Sequence, residues 1–126
     1  MKRSILIVDD EFGLAELIAE LLTESGFEST IAINGRLGLD SIALKRPDLV
    51  LLDVMMPVMN GPAMARAMRA NPEQATIPIL MMTSLPAALP PDLPRLYDDY
   101  LEKPFRPAAM FEAIERLLSA AAGRSG

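Results

Sequence analysis

Ser4-Ile5-Leu6-Ile7-Val8 (SILIV, residues 4–8) and Asp48-Leu49-Val50-Leu51-Leu52 (DLVLL, residues 48–52) are the firmest strand signals in the chain. Each is a short, unbroken apolar run bounded by aspartate. That is the pattern of a parallel strand covered on both faces, since a strand with one wet face would alternate apolar and polar residues. Between them, Phe12 to Ser25 places Leu14, Leu17, Ile18, Leu21 and Leu22 on one helical face, and Gly26 supplies a stop. Glu28 to Ile33 reads as a second strand. Gly35 to Arg46 reads as a second helix with Leu37, Leu39, Ile42 and Ala43 apolar, closed by Pro47. Further on, Pro62 opens a third helix through about Asn71, Pro78 to Met82 and Asp98 to Glu102 are strands, and Pro107 opens a last amphipathic helix. Strict alternation of strand and helix implies a doubly wound α/β domain, with a parallel sheet between two helical layers.

The rest of the composition narrows the chemistry. A chain of 126 residues, 51% apolar and 23% charged, has material for one core and one domain. No apolar run approaches the roughly 18 residues of a membrane span, and the opening residues lead directly into a strand. The expected compartment is therefore the cytoplasm, without a membrane partner. Cysteine and histidine are both absent, which leaves carboxylates, hydroxyls and amines as the reactive groups. A net charge of −5 without a basic cluster argues against direct DNA binding.

In an open α/β sheet, ligands bind beyond the carboxyl ends of the strands. Asp9 and Asp10 follow the first strand, Asp53 the third, Thr83 and Ser84 the fourth and Lys103 the fifth. Acids so close together repel one another unless a cation neutralises them, and all-oxygen donors select a hard ion such as Mg²⁺ together with phosphate. A carboxylate can itself accept a phosphoryl group, and Asp53 is the most central of the acids. Lys103 can pair with one phosphoryl oxygen and the Thr83 hydroxyl can donate to another, with Ser84 the competitor for that role.

The ordered set ILIVDDE at 5–11, DVMMPVMNG at 53–61, Thr83 after an apolar strand and DDYLEKPF at 98–105 resembles the receiver domain of two-component response regulators, over about residues 2 to 121. The resemblance implies a flavodoxin-like, five-stranded sheet of order 2-1-3-4-5. It implies Asp53 as phosphoacceptor, with Mg²⁺ held directly by Asp10, Asp53 and the backbone carbonyl of Met55 and by Asp9 through water. Thr83 and Lys103 become the phosphate-sensing pair, Tyr100 the aromatic switch and Pro104 a cis-proline. The implied function is a phosphorylation-dependent switch fed by a sensor histidine kinase or phosphotransfer protein and acting on a downstream protein target. Its only chemistry would be self-directed phosphotransfer and slow autodephosphorylation, so it is not a turnover enzyme.

Two other functions use similar parts. A Mg²⁺-dependent phosphohydrolase of similar topology wants an acid two residues after its nucleophile, where this chain has Met55. An unphosphorylated interaction scaffold would lack an acceptor or metal residue, and none is missing. Met55, Met56, Met59, Met64, Met68, Met81 and Met82 read as core filler. Asp98, Asp99 and Glu102, with Glu112, Glu115 and Arg116, read as a solvated surface.

The segment from Ser84 to Leu96 departs from the resemblance. Four of the eleven prolines fall between 86 and 94, and an interior proline costs a helix roughly 3 kcal/mol. The helix between the fourth and fifth strands is expected to be irregular or missing. That puts the family's usual dimer face in doubt and favours a monomer or weak dimer. Residues 1–121 are read as the receiver domain and 122–126 as a flexible tail.

Overall fold

The computed structural model describes residues 2–89 and 96–125. Strands β1 (Ser4–Val8), β2 (Glu28–Ala32), β3 (Leu49–Asp53), β4 (Ile79–Thr83) and β5 (Asp99–Glu102) form one sheet of order β2-β1-β3-β4-β5. All four pairings are parallel. Helices α1 (Phe12–Glu24), α2 (Gly35–Leu44), α3 (Gly61–Ala70) and α4 (Pro107–Ser125) connect or follow the strands.

Strand alternation sorts the core into two layers. Ile5 and Ile7, Leu49 and Leu51, and Leu80 and Met82 face Ala15, Ile18 and Leu22 of α1 and Met110, Ala113 and Ile114 of α4. Their neighbours Leu6 and Val8, Val50 and Leu52, and Ile79 and Met81 face Ile42 of α2 and Met64, Ala65 and Met68 of α3. β3 and β4 are buried at every position, which is why their sequences carry no polar alternation.

Several local expectations change. Leu17 lies on the outer side of α1 at 53% exposure, because the sheet covers only the arc from Ala15 to Leu22. Leu37 and Ala43 of α2 are exposed likewise, and Gly38 and Ile42 make the buried face. Asp98 is not simply solvated: its carboxylate accepts from the Ile79 amide at 2.8 Å and from Arg69 at 2.9 Å, capping the start of β4. Asp99 pairs with Arg116, and Glu115 pairs with Arg3 at 3.2 Å, so this surface pins α4 to the sheet. Met64, Met68, Met81 and Met82 fill the core, while Met55 is exposed. Residues 122–125, read as tail, continue α4, since Ala120, Ala121 and Ala122 are the strongest helix formers.

After β4 the chain makes a single 3₁₀ turn at Pro86–Ala88, which Pro86 opens. Leu89 and Leu96 are buried against the α3 side of the sheet. Residues 90–95, the remainder of the expected irregular segment, lie outside the described residues.

Candidate functional site

Register brings the expected site residues to one edge. Val8 pairs with Leu52, Asp53 with Met82 and Thr83 with Glu102, so Asp9, Asp53, Thr83 and Lys103 emerge side by side at the carboxyl end of the sheet. Asp9 is fully buried, its Oδ1 accepting from the Glu11 amide at 2.9 Å. Its other oxygen accepts from Lys103 Nζ at 3.0 Å. The same ammonium lies 3.3 Å from Asp53 Oδ1. Asp10 is exposed on the solvent side of the cluster.

Carboxylate oxygens of Asp9, Asp10 and Asp53 lie within 4.8 Å of one another. One ammonium does not balance three carboxylates. Burial foremost, then the charge of Asp9, raises the Asp53 carboxyl to about 6 against the opposing pull of Lys103. Burial alone would lower the Lys103 ammonium, but its hydrogen bond to Asp9 and the charges of Asp53 and Asp9 outweigh that and hold it above its usual value. The donor set fits a hard divalent cation, being hard carboxylate oxygens short of positive charge in a chain without imidazole or thiolate.

Thr83 is buried at the last position of β4, and its Oγ1 accepts from the Leu85 amide at 2.9 Å. Ser84 is exposed beyond the strand. The Lys103–Pro104 peptide is cis. Tyr100 is 43% exposed and Leu101 fills the inward position of β5. Met55 sits on the loop after β3, its side chain 71% exposed.

Sequence reasoning assigned no role to the two Asn-Gly pairs that start α2 and α3. Asn34 Oδ1 accepts from the Leu37 amide and Asn60 Oδ1 from the Ala63 amide, both at 2.9 Å. Gly61 packs against the Asp53 carbonyl, and its amide donates to the Val54 carbonyl at 3.0 Å. An Asn-Gly pair before an apolar helix signals a cap, but not a close approach to a strand elsewhere in the chain.

The family described as response regulator receiver domain matches residues 5–115. The chain is 36% identical over 120 residues to the DNA-binding response regulator MtrA of Mycolicibacterium paratuberculosis, covering 94% of this chain and 52% of that protein. It spans about half the length of the curated relatives it matches. A putative response regulator from Chloroflexus aurantiacus superposes with a TM-score of 0.87 at 30% identity, over 94% of this chain and 99% of that one. The signal receiver domain of a signal transduction histidine kinase from Syntrophus aciditrophicus superposes at 0.83 with 35% identity, over 94% and 91%.

Proposed function

The chain belongs to the response regulator receiver domain family, and from that premise we propose that Asp53 accepts a phosphoryl group and that the resulting charge resets the surface around β4 and β5. The observation that carries the reading is the pocket itself: three carboxylates within 4.8 Å of one another, with one ammonium 3.0 Å from Asp9 and 3.3 Å from Asp53.

In the reaction, an Asp53 carboxylate oxygen attacks phosphorus. The bond from phosphorus to the donor's leaving atom breaks, and its electron pair stays with that atom, an imidazole nitrogen in a phosphohistidine donor. Asp10, Asp53 and the Met55 carbonyl, with Asp9 through water, would hold Mg²⁺, which would supply charge neutralisation at the phosphoryl oxygens. Lys103 shifts from its hydrogen bond to Asp9 and its ion pair with Asp53 onto a phosphoryl oxygen. The buried Thr83 hydroxyl donates to another oxygen, and the space it leaves favours an inward Tyr100.

The donor is a sensor histidine kinase or phosphotransfer protein, and the output is a protein target bound in one of the two states. Residues 1–121 form the receiver unit, acting as a monomer or weak dimer in the cytoplasm. Among the described residues no helix is long and apolar enough to cross a membrane. The chemistry is self-directed, phosphotransfer onto Asp53 followed by slow autodephosphorylation, which makes the chain a switch rather than a turnover enzyme. The hydrolase alternative finds only the outward side chain of Met55 where its second acid belongs.

The switch is tested by amide NMR with beryllofluoride as the phosphoryl mimic. Shifts should extend from Asp53 through Thr83 to Tyr100 and Lys103. Changes confined to Asp9, Asp10, Asp53, Thr83 and Lys103, with Tyr100 unmoved, would refute the switch.

A further inference from the structure

We propose that Gly35 and Gly61 are positioning residues that hold the β3–α3 loop, and with it the Asp53 backbone, in the geometry the acidic pocket requires. The proposal rests on the reading of Asp53 as acceptor and extends it to two glycines, one on a different helix.

The loop from Val54 to Asn60 leaves β3 directly after Asp53. It turns tightly at Val58, where the Met59 amide donates to the Pro57 carbonyl at 2.7 Å and Val58 takes a φ of 67°. A β-branched residue in the left-handed region is strained, and such strain persists only where the surroundings over-determine the backbone. Two backbone hydrogen bonds do so here. The Gly61 amide holds the first loop residue through the Val54 carbonyl, and the Gly35 amide holds the Met59 carbonyl, each at 3.0 Å.

Neither glycine is needed for its torsion angles, since among the described glycines only Gly26 has a positive φ. Each is the first residue of its helix, directly after an asparagine cap. What both lack is space. A Cβ on Gly61 would overlap the Asp53 carbonyl oxygen and stand 3.0 Å from Val54 Cα, and both are backbone atoms that cannot rotate away. A Cβ on Gly35 would stand 2.8 Å from the Met59 carbonyl oxygen and 2.8 Å from its Cγ. Alanine at either position therefore pushes a helix start off the loop. At Gly61 the displaced atoms are those of the acceptor itself.

The test compares Gly61→Ala, Gly35→Ala and the control Gly13→Ala, whose Cβ would meet nothing within 4 Å. In the metal-free full chain, amide resonances of residues 53–60 should shift in the first two variants and not in the control. Labelling by acetyl phosphate, measured well below each melting temperature, should slow on the order of a hundredfold in Gly61→Ala and about tenfold in Gly35→Ala. The half-saturating Mg²⁺ concentration should rise in both, which a loss of global stability alone would not cause. Wild-type resonances, rates and Mg²⁺ dependence in the folded variants would overturn the proposal. If Gly61→Ala does not fold, Gly35→Ala decides alone, because only the Met59 carbonyl oxygen opposes it from the backbone while the rest of its overlap falls on the Met59 side chain. Wild-type protein that takes no label overturns the acceptor reading as well, so the two failures are distinguishable.

Discussion

The backbone amide of Lys103 donates to the carbonyl oxygen of Thr83 at 2.7 Å. This bond extends the β4–β5 ladder one step past its last residue pair and locks the two candidate phosphate-sensing residues into one junction. From that junction the Lys103 ammonium reaches two carboxylates and the Thr83 hydroxyl holds the Leu85 amide. Under the proposed switch, a change at Asp53 reaches Lys103 directly and the start of the β4–β5 connection through the Lys103–Thr83 bond.

Lys103→Ala should destabilise the metal-free protein by about 2 kcal/mol, because it leaves the fully buried Asp9 with only the Glu11 amide as partner. Mg²⁺ should recover part of the loss. Urea denaturation with and without Mg²⁺ checks both, and a penalty under about 0.5 kcal/mol without metal would show that Asp9 does not depend on Lys103.

The metal-free protein should become more stable as pH falls toward 5. Asp53 titrates near 6 when folded, against an ordinary value of 3.8, so the folded state binds its proton more tightly than the unfolded chain does. The contribution is complete below the ordinary value and is lost as pH rises through about 6. Melting curves in chelator from about pH 8 to about pH 5 should show this in wild type, and Asp53→Asn should be flatter. Equal slopes in the two proteins would contradict the assignment.

Thr83→Val keeps the shape of a buried side chain but leaves the Leu85 amide without its acceptor. The expected cost is about 1 kcal/mol. Phosphoryl labelling should persist, while the beryllofluoride shift at Tyr100 should shrink strongly. An unchanged Tyr100 response would remove Thr83 from the switch.

Arg69 of α3 joins the α3–β4 and β4–β5 connections far from the pocket. Its guanidinium donates to the carbonyls of Leu96, Ala75 and Ile77 and to the Asp98 carboxylate. Arg69→Ala should cost about 2–4 kcal/mol, and Arg69→Lys should rescue little, because an ammonium cannot reproduce the planar fork. Full rescue by lysine in chemical denaturation would show that charge alone matters there.

The fold was legible because its central strands are buried on both faces, so SILIV and DLVLL announce themselves without their neighbours. Strand ends moved by a residue because they are set by partners: the Asp98 carboxylate fixes Ile79, which sequence alone cannot show. Leu17 and Leu37 misled because helical periodicity gives an apolar face without saying how much of it a sheet will cover. The pocket was legible in kind, since each of its residues directly follows a strand. Its electrostatics were not. That Asp9 takes the first hold on Lys103, and that Gly61 lies against the Asp53 carbonyl, are contacts between residues far apart in the chain.

Phosphoryl transfer to Asp53 is the step on which the proposed switch depends. Intact-mass measurement of wild type and Asp53→Asn after incubation with acetyl phosphate and Mg²⁺ tests it most directly. Wild type should gain one phosphoryl group per chain with Mg²⁺ and none when chelator replaces it during the incubation, and the variant should gain none in either condition. Equal labelling of Asp53→Asn at the same stoichiometry would contradict the account.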